Sequence, residues 1–99
     1  MNARTKKTMI SPKTKLVVYQ RDGFCCVLCN SNQAYPDAHY ISRSRGGLGI
    51  PENIVTLCRI CHNRLDQSTE RPQLLKKIKD YLDAFYPDFT DEMRKYKGE

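Results

Sequence analysis

Apolar residues along this chain fall in short clusters, and their spacing predicts the elements. Leu16, Val17 and Tyr19 lie in a polar run that opens at Ser11-Pro12 and closes before Gly23. Serine as N-cap, proline at the first helical position and glycine after the last residue predict a helix. Phe24 to Asn30 should form a tight knuckle. Residues 35–41 and 53–57 read as two short strands, the second through Ile54, Val55 and Leu57. Between them, Ser42 to Glu52 is a polar, glycine-bearing loop, and a helix should run from about Arg59 to Gln67. After Pro72, apolar residues recur with helical period at Leu74, Leu75, Ile78, Leu82 and Phe85, while Lys76, Lys77, Lys79, Asp80 and Asp83 mark the wet face. The stripe reads as the cover of a core. Pro87 should end that helix, and Thr90 could cap a last short one.

The chain has 99 residues, 39% of them apolar and none of them Trp, so a single modest core is expected. Domains of this size are marginal on core burial alone and commonly carry a staple. No stretch approaches the ~18 apolar residues of a membrane span. The first ten residues also lack the apolar run of a secretory leader. A reducing, cytoplasmic setting is therefore expected, where closely spaced cysteines bind metal more often than they oxidise.

There are five cysteines, Cys25, Cys26, Cys29, Cys58 and Cys61. Cys26-x-x-Cys29 and Cys58-x-x-Cys61 each place two sulfurs within reach of one ion from a single turn. Two such pairs complete a tetrahedral thiolate site with Zn–S of about 2.3 Å. Structural Zn²⁺ is the expected ligand, with free thiols or a disulfide as the alternative. Cys25 could replace Cys26 in a Cys-x-x-x-Cys pair, but the matched spacing favours Cys26. Four thiolates leave no open coordination position, so any chemistry must lie elsewhere.

The net charge of +6 is unevenly spread. Residues 1–71 hold 11 Lys/Arg against 5 Asp/Glu, whereas residues 72–99 are balanced. The excess accompanies the cysteines and histidines, which fits a polyanionic partner, nucleic acid first. Arg4, Lys6 and Lys7 make residues 1–11 either a frayed tail or a flexible phosphate-binding arm. The remainder divides into a core over 12–71 and a helical extension over 72–99 that packs on it.

Only two histidines are present, His39 on the first strand and His62 directly after Cys61, with Asn53 between them. Taken singly, each is ordinary. Together with Arg21-Asp22-Gly23-Phe24-x-Cys26-x-x-Cys29, Ala38-His39-Tyr40-Ile41-Ser42-Arg43-Ser44-x-Gly46-Gly47 and Asn53-Ile54-Val55-x-Leu57-Cys58-x-x-Cys61-His62, they make residues 21–66 resemble the HNH endonuclease family of the ββα-metal superfamily. The short form with flanking helices is similar to those encoded by bacteriophages and their bacterial hosts.

The resemblance implies an α+β fold, with a ββα-metal core, a four-cysteine knuckle and helices at both ends. It also implies a metal-dependent DNA endonuclease that leaves 5′-phosphate and 3′-hydroxyl ends. His39 matches the general base, Asn53 the asparagine that pins the loop, and His62 the ligand of a catalytic divalent metal such as Mg²⁺ or Mn²⁺. Asp66, one turn after His62, matches a further ligand in some branches, and i, i+4 spacing puts both on one helix face. The chain departs from the family at Ala38, where a ligand usually precedes the base. Strand alternation would put Asp37 on the side of His39, so Asp37 could substitute. Arg43, Arg45, Arg59 and Arg64 surround these residues and could grip the DNA backbone. The competing readings are a non-catalytic zinc module that binds DNA or protein, and a subunit that docks through its C-terminal helix. Cutting both strands would require a homodimer, a phage or host partner, or successive nicks.

Overall fold

The computed structural model describes residues 2–98. Its centre is a two-stranded antiparallel sheet of β1 (Ala34–His39) and β2 (Ile54–Cys58). Helices α1 (Ala3–Thr8) and α2 (Pro12–Arg21) precede the sheet, and α3 (Arg59–Gln67) and α4 (Arg71–Phe85) follow it. This is a small α+β fold of the ββα-metal kind, with the cysteine cluster at one end. Short 3₁₀ turns at Arg43–Arg45 and Pro51–Asn53 break up the long loop, and a third lies at Glu92–Arg94.

Most elements lie where the periodicity put them. Ser11 caps α2 by accepting from Thr14 N at 3.1 Å, Pro12 occupies its first turn, and Gly23 follows with φ of 65°. That left-handed turn favours glycine because a Cβ would strain it. Every residue of β2 is buried, and Ala38, Val55, Leu57 and Leu65 join Leu74, Ile78 and Leu82 of α4 in one core. Burying each such leucine contributes about 2 kcal/mol, so α4 supplies much of the core of so small a domain. Phe85, half-exposed at the end of the stripe, packs its ring on Tyr81 at 5.1 Å between centroids and near the Arg21 guanidinium at 5.6 Å.

Two segments differ from expectation. The first eleven residues, read as a tail or flexible arm, contain helix α1, capped by Asn2 and buried at Thr8. Arg4 donates to the carbonyl of Ser44 at 2.9 Å, which draws this helix onto the loop after β1. β1 also ends at His39 rather than running to Ile41. Beyond His39 the ladder is taken over by Asn53, whose backbone carbonyl accepts from Tyr40 N at 2.8 Å and whose side chain bonds Ile41.

The Arg21-Asp22 pair is a clamp at the centre of the fold. Arg21 donates to the carbonyls of Pro51 at 2.6 Å and Ile54 at 2.7 Å, and lies among the rings of Tyr81, Phe85 and Tyr86. The Asp22 carboxylate accepts from Thr56 N and from the Tyr81 hydroxyl, at 2.8 and 2.7 Å. These contacts tie α2 to β2 and α4 at once. Arg94 does the same for the C-terminus: fully buried, it donates to Glu52 O at 2.7 Å and lies over the Tyr40 ring.

Candidate active site and metal centre

The four paired cysteines converge. The sulfurs of Cys26, Cys29, Cys58 and Cys61 all lie within 4.8 Å of one another, and three of the four residues are buried. Two local devices bring them there. Asn30 takes a left-handed conformation (φ 66°) and returns its N–H to Cys26 O at 2.9 Å, closing the first pair into a knuckle. Cys58 caps α3 through its own sulfur, accepting from Cys61 N at 3.3 Å, so the second pair straddles the first helical turn. Burial pushes the Cys26 thiol up, but the N–H groups of Cys58, Cys29 and Leu28 outweigh it and bring it down to about 7. Burial and the neighbouring thiols push Cys61 the other way. Four thiolates this close repel unless a cation sits among them, so the set suits a bound metal ion such as zinc. Cys25 stands outside the cluster.

A second cluster forms around the histidines. β1 carries a bulge: Tyr35 pairs with Leu57 and Ala38 with Val55, leaving Pro36 and Asp37 opposite Thr56 alone. Proline, which lacks an N–H, suits that position, and a bulge re-aims the side chains beside it. Ala38 turns fully into the core, while Asp37 and His39 are half-exposed on the other side. Asp37 Oδ1 lies 3.8 Å from His62 Nδ1. That oxygen is buried and makes no hydrogen bond, an uncommon state for a carboxylate. Asp37 Oδ2 meets Arg59 at 3.3 Å.

Asp66 also reaches His62, at 3.5 Å, as the i, i+4 spacing implies. It approaches Nε2, however, whereas Asp37 approaches Nδ1. One imidazole cannot offer both nitrogens to a single ion, so with the ring as oriented only one carboxylate can share an ion with it. Each carboxylate also meets an arginine through its other oxygen, Asp37 with Arg59 at 3.3 Å and Asp66 with Arg71 at 3.7 Å. They differ in that Asp37 Oδ1 is buried and unpartnered, whereas the Asp66 side chain is 54% exposed. Among the described residues, only the cysteines form a group of three or more closely spaced potential ligands.

His39 Nε2 lies 2.9 Å from the backbone carbonyl of Thr8. A carbonyl oxygen can only accept, so Nε2 carries the proton and Nδ1 holds the lone pair. Burial lowers the ring's pKa below the usual 6.5; the Thr8 carbonyl opposes the shift, and Arg43 reinforces it. Asn53, wholly buried, spends its side chain on the loop: Oδ1 accepts from Ile41 N at 2.9 Å, and Nδ2 donates to Ile41 O at 3.1 Å and Leu48 O at 2.9 Å. It thus ties Ile41, where the loop after His39 begins, to Leu48 within that loop.

The cysteine-bounded unit is the part of the chain with a family match. Residues 26–68 match the model of the HNH endonuclease family. The segment is an HNH domain. The match spans the knuckle, both strands and α3, and leaves α1, α2 and α4 outside the HNH unit. No curated protein and no solved structure matches the chain. Among the described residues, no helix is long and apolar enough to cross a membrane.

The four arginines near the HNH histidines are not equivalent. Arg43 and Arg45, on the 3₁₀ turn after β1, are exposed and make no ion pair among the described residues. Arg59 is paired to Asp37 and lies over the Tyr35 ring, 4.2 Å from its centroid. Arg64 is held by the Glu70 carboxylate at 3.0 and 2.8 Å. Sequence reasoning did not find the Thr8 carbonyl or the Arg59–Asp37 pair. The first is a backbone atom that leaves no trace in side-chain pattern, and the second depends on the bulge.

Proposed function

We propose that the chain is a metal-dependent DNA endonuclease in which His39 is the general base. The observation that carries this reading is the state of His39: a half-buried imidazole with Nε2 tied to a carbonyl, close enough to Asp37, His62 and Arg43 for each to influence its charge. Burial keeps the ring neutral at cellular pH, so Nδ1 can take the proton from a water that attacks the scissile phosphorus. A general base of this kind contributes about 10²- to 10⁴-fold to rate.

His62 and Asp37 are the residues suited to hold the catalytic cation. Asp37 supplies an unpartnered, buried carboxylate oxygen and His62 a ring nitrogen 3.8 Å away, a hard oxygen and an imidazole that suit Mg²⁺ or Mn²⁺. A divalent ion held by these two residues would supply stabilisation of charge on the phosphate and on the departing 3′ oxygen. Asp37 thereby takes over from the side chain that Ala38 lacks. Asp66 then serves as a neighbour of His62 on the outer side. Asn53 fixes the loop, and with it the end of β1 that presents His39. Arg43 and Arg45, exposed and without an ion pair among the described residues, are suited to backbone phosphates, while zinc at the four cysteines would hold α3 against the knuckle. Products with 5′-phosphate and 3′-hydroxyl ends follow from attack on phosphorus with the 3′ oxygen leaving.

The test is cleavage of supercoiled plasmid by the purified chain with Mg²⁺, Mn²⁺, Zn²⁺ or EDTA, beside His39→Ala. Metal-dependent nicking or linearisation that the variant loses by about 10²-fold or more supports the nuclease and its base. Intact plasmid with every metal, together with a retained gel shift, would make the chain a DNA-binding module on an HNH scaffold.

A further inference from the structure

The HNH unit begins at Cys26, yet the only hydrogen bond on the His39 ring among the described residues comes from a residue before it. We propose that residues 2–10 form a strap that completes the active site, with the Thr8 carbonyl as the group that positions His39. Its acceptor oxygen holds the ring in the Nε2–H tautomer and leaves Nδ1 free for the attacking water. The proposal rests on the reading of His39 as general base, and adds to it where that base gets its orientation.

Three features show that this contact is built. First, Thr8 is the last residue of α1, where a helical carbonyl has no partner within the helix. Thr8 is buried, its hydroxyl turns back to the Arg4 carbonyl at 2.9 Å, and its own carbonyl is left for the imidazole. Second, the strap is fastened to the loop that Asn53 pins. Arg4 donates to Ser44 O at 2.9 Å and Arg43 O at 3.4 Å, and Gly49 N donates to Lys7 O at 3.0 Å. Third, Gly49 has no side chain where one would collide: a Cβ there would overlap the Met9 carbonyl. The chain thus lets the strap lie directly on the loop, one residue from Thr8. Base, loop and strap are one interlocked unit, although only the first two belong to the HNH segment.

The experiment uses the full chain and two variants that loosen the strap while leaving His39, His62 and Asp37 in place. Gly49→Ala pushes the Met9 backbone away, and Arg4→Ala, at an exposed anchor, loosens the strap more gently should Gly49→Ala fail to fold. Imidazole ¹⁵N spectra and plasmid kinetics with Mn²⁺ are recorded for each. In the wild type, His39 is expected to show its ring proton on Nε2 with slowed solvent exchange. In Gly49→Ala that protected signal disappears, and kcat at saturating DNA falls about 10- to 100-fold with KM nearly unchanged, as misplacing a catalytic group does. Arg4→Ala moves both readouts the same way by less. A wild-type proton on Nδ1 overturns the proposal. So does a cutting wild type whose Gly49→Ala variant loses the protected signal but keeps its kcat. A raised kcat overturns it too, since the strap would then be a cover that must leave. If the wild type cuts no DNA with any metal, the nuclease reading falls and the positioning role falls with it. If His39→Ala abolishes cutting while both strap variants leave it intact, only the role of Thr8 falls.

Discussion

The cysteine cluster and the proposed catalytic cation site share one helix and differ in nearly everything else. Cys58 and Cys61 stand at the start of α3, His62 is the next residue, and Asp66 lies one turn on. Successive residues on an α-helix are rotated by about 100°, so a single step carries the chain from a sulfur turned into the core to an imidazole turned into a cleft. On the cysteine side, four soft donors converge within 4.8 Å and would saturate an ion. On the histidine side, His62 and Asp37 offer two donors, partly exposed at 25% and 30% of their side-chain surface. A closed set can only hold the fold together, whereas an incomplete set of nitrogen and oxygen donors leaves positions for water and phosphate. In the proposed function, the structural metal and the chemistry are kept apart by donor type and by openness, not by distance along the chain.

Breaking the closed side should have the largest effect. Cys58→Ser removes both a ligand and the sulfur cap of α3. Because metal binding at such sites is itself folding free energy, of order ~10 kcal/mol, the variant should be unfolded at 25 °C. Circular dichroism, and loss of the thiolate absorption of the Co²⁺-substituted chain, would show it. A folded Cys58→Ser chain would mean that the core and the Arg21-Asp22 clamp suffice without the staple.

The open side should respond by degrees. Asp37→Ala is expected to weaken Mn²⁺ binding by about 10- to 100-fold, and Asp66→Ala by clearly less, measured by titration of the zinc-loaded protein. Equal effects would mean that the His62 ring turns to present Nε2 and that Asp66 is the ligand. Arg43→Ala should lower DNA affinity and reduce the slope of log affinity against log salt by about 1, while Arg64→Ala, already engaged by Glu70, should change the slope less. The smallest effect concerns pH. Burial depresses the His39 pKa below 6.5, and in the proposed mechanism the neutral ring is the active form, so activity should persist as pH falls through 6.5 and be lost only below it. The acid limb of kcat/KM for the free enzyme reads this directly. A midpoint above 6.5 would place the base outside the half-buried pocket described for His39.

Much of this protein is local in origin and could be read from the chain. The Ser11-Pro12 start and Gly23 stop of α2, the stripe of α4 and the two Cys-x-x-Cys pairs depend on residues a few positions apart, where spacing maps directly onto geometry. The same holds for His62 and Asp66 on one face of α3. The long-range contacts were hidden because no short-range rule records them. Pairing of β1 with β2 created the bulge that turns Ala38 into the core and brings Asp37 to His62. Packing of α1 on the loop delivered a backbone carbonyl to His39, from a segment whose composition reads only as basic and polar. Arg64 reads from sequence as a free cation, and only the start of α4 showed that Glu70 holds it. Sequence determined the elements and the kinds of ligand, because those follow from neighbours in the chain. Tertiary structure decided which ligands meet and which nitrogen of His39 stays basic, because those depend on atoms some thirty residues apart.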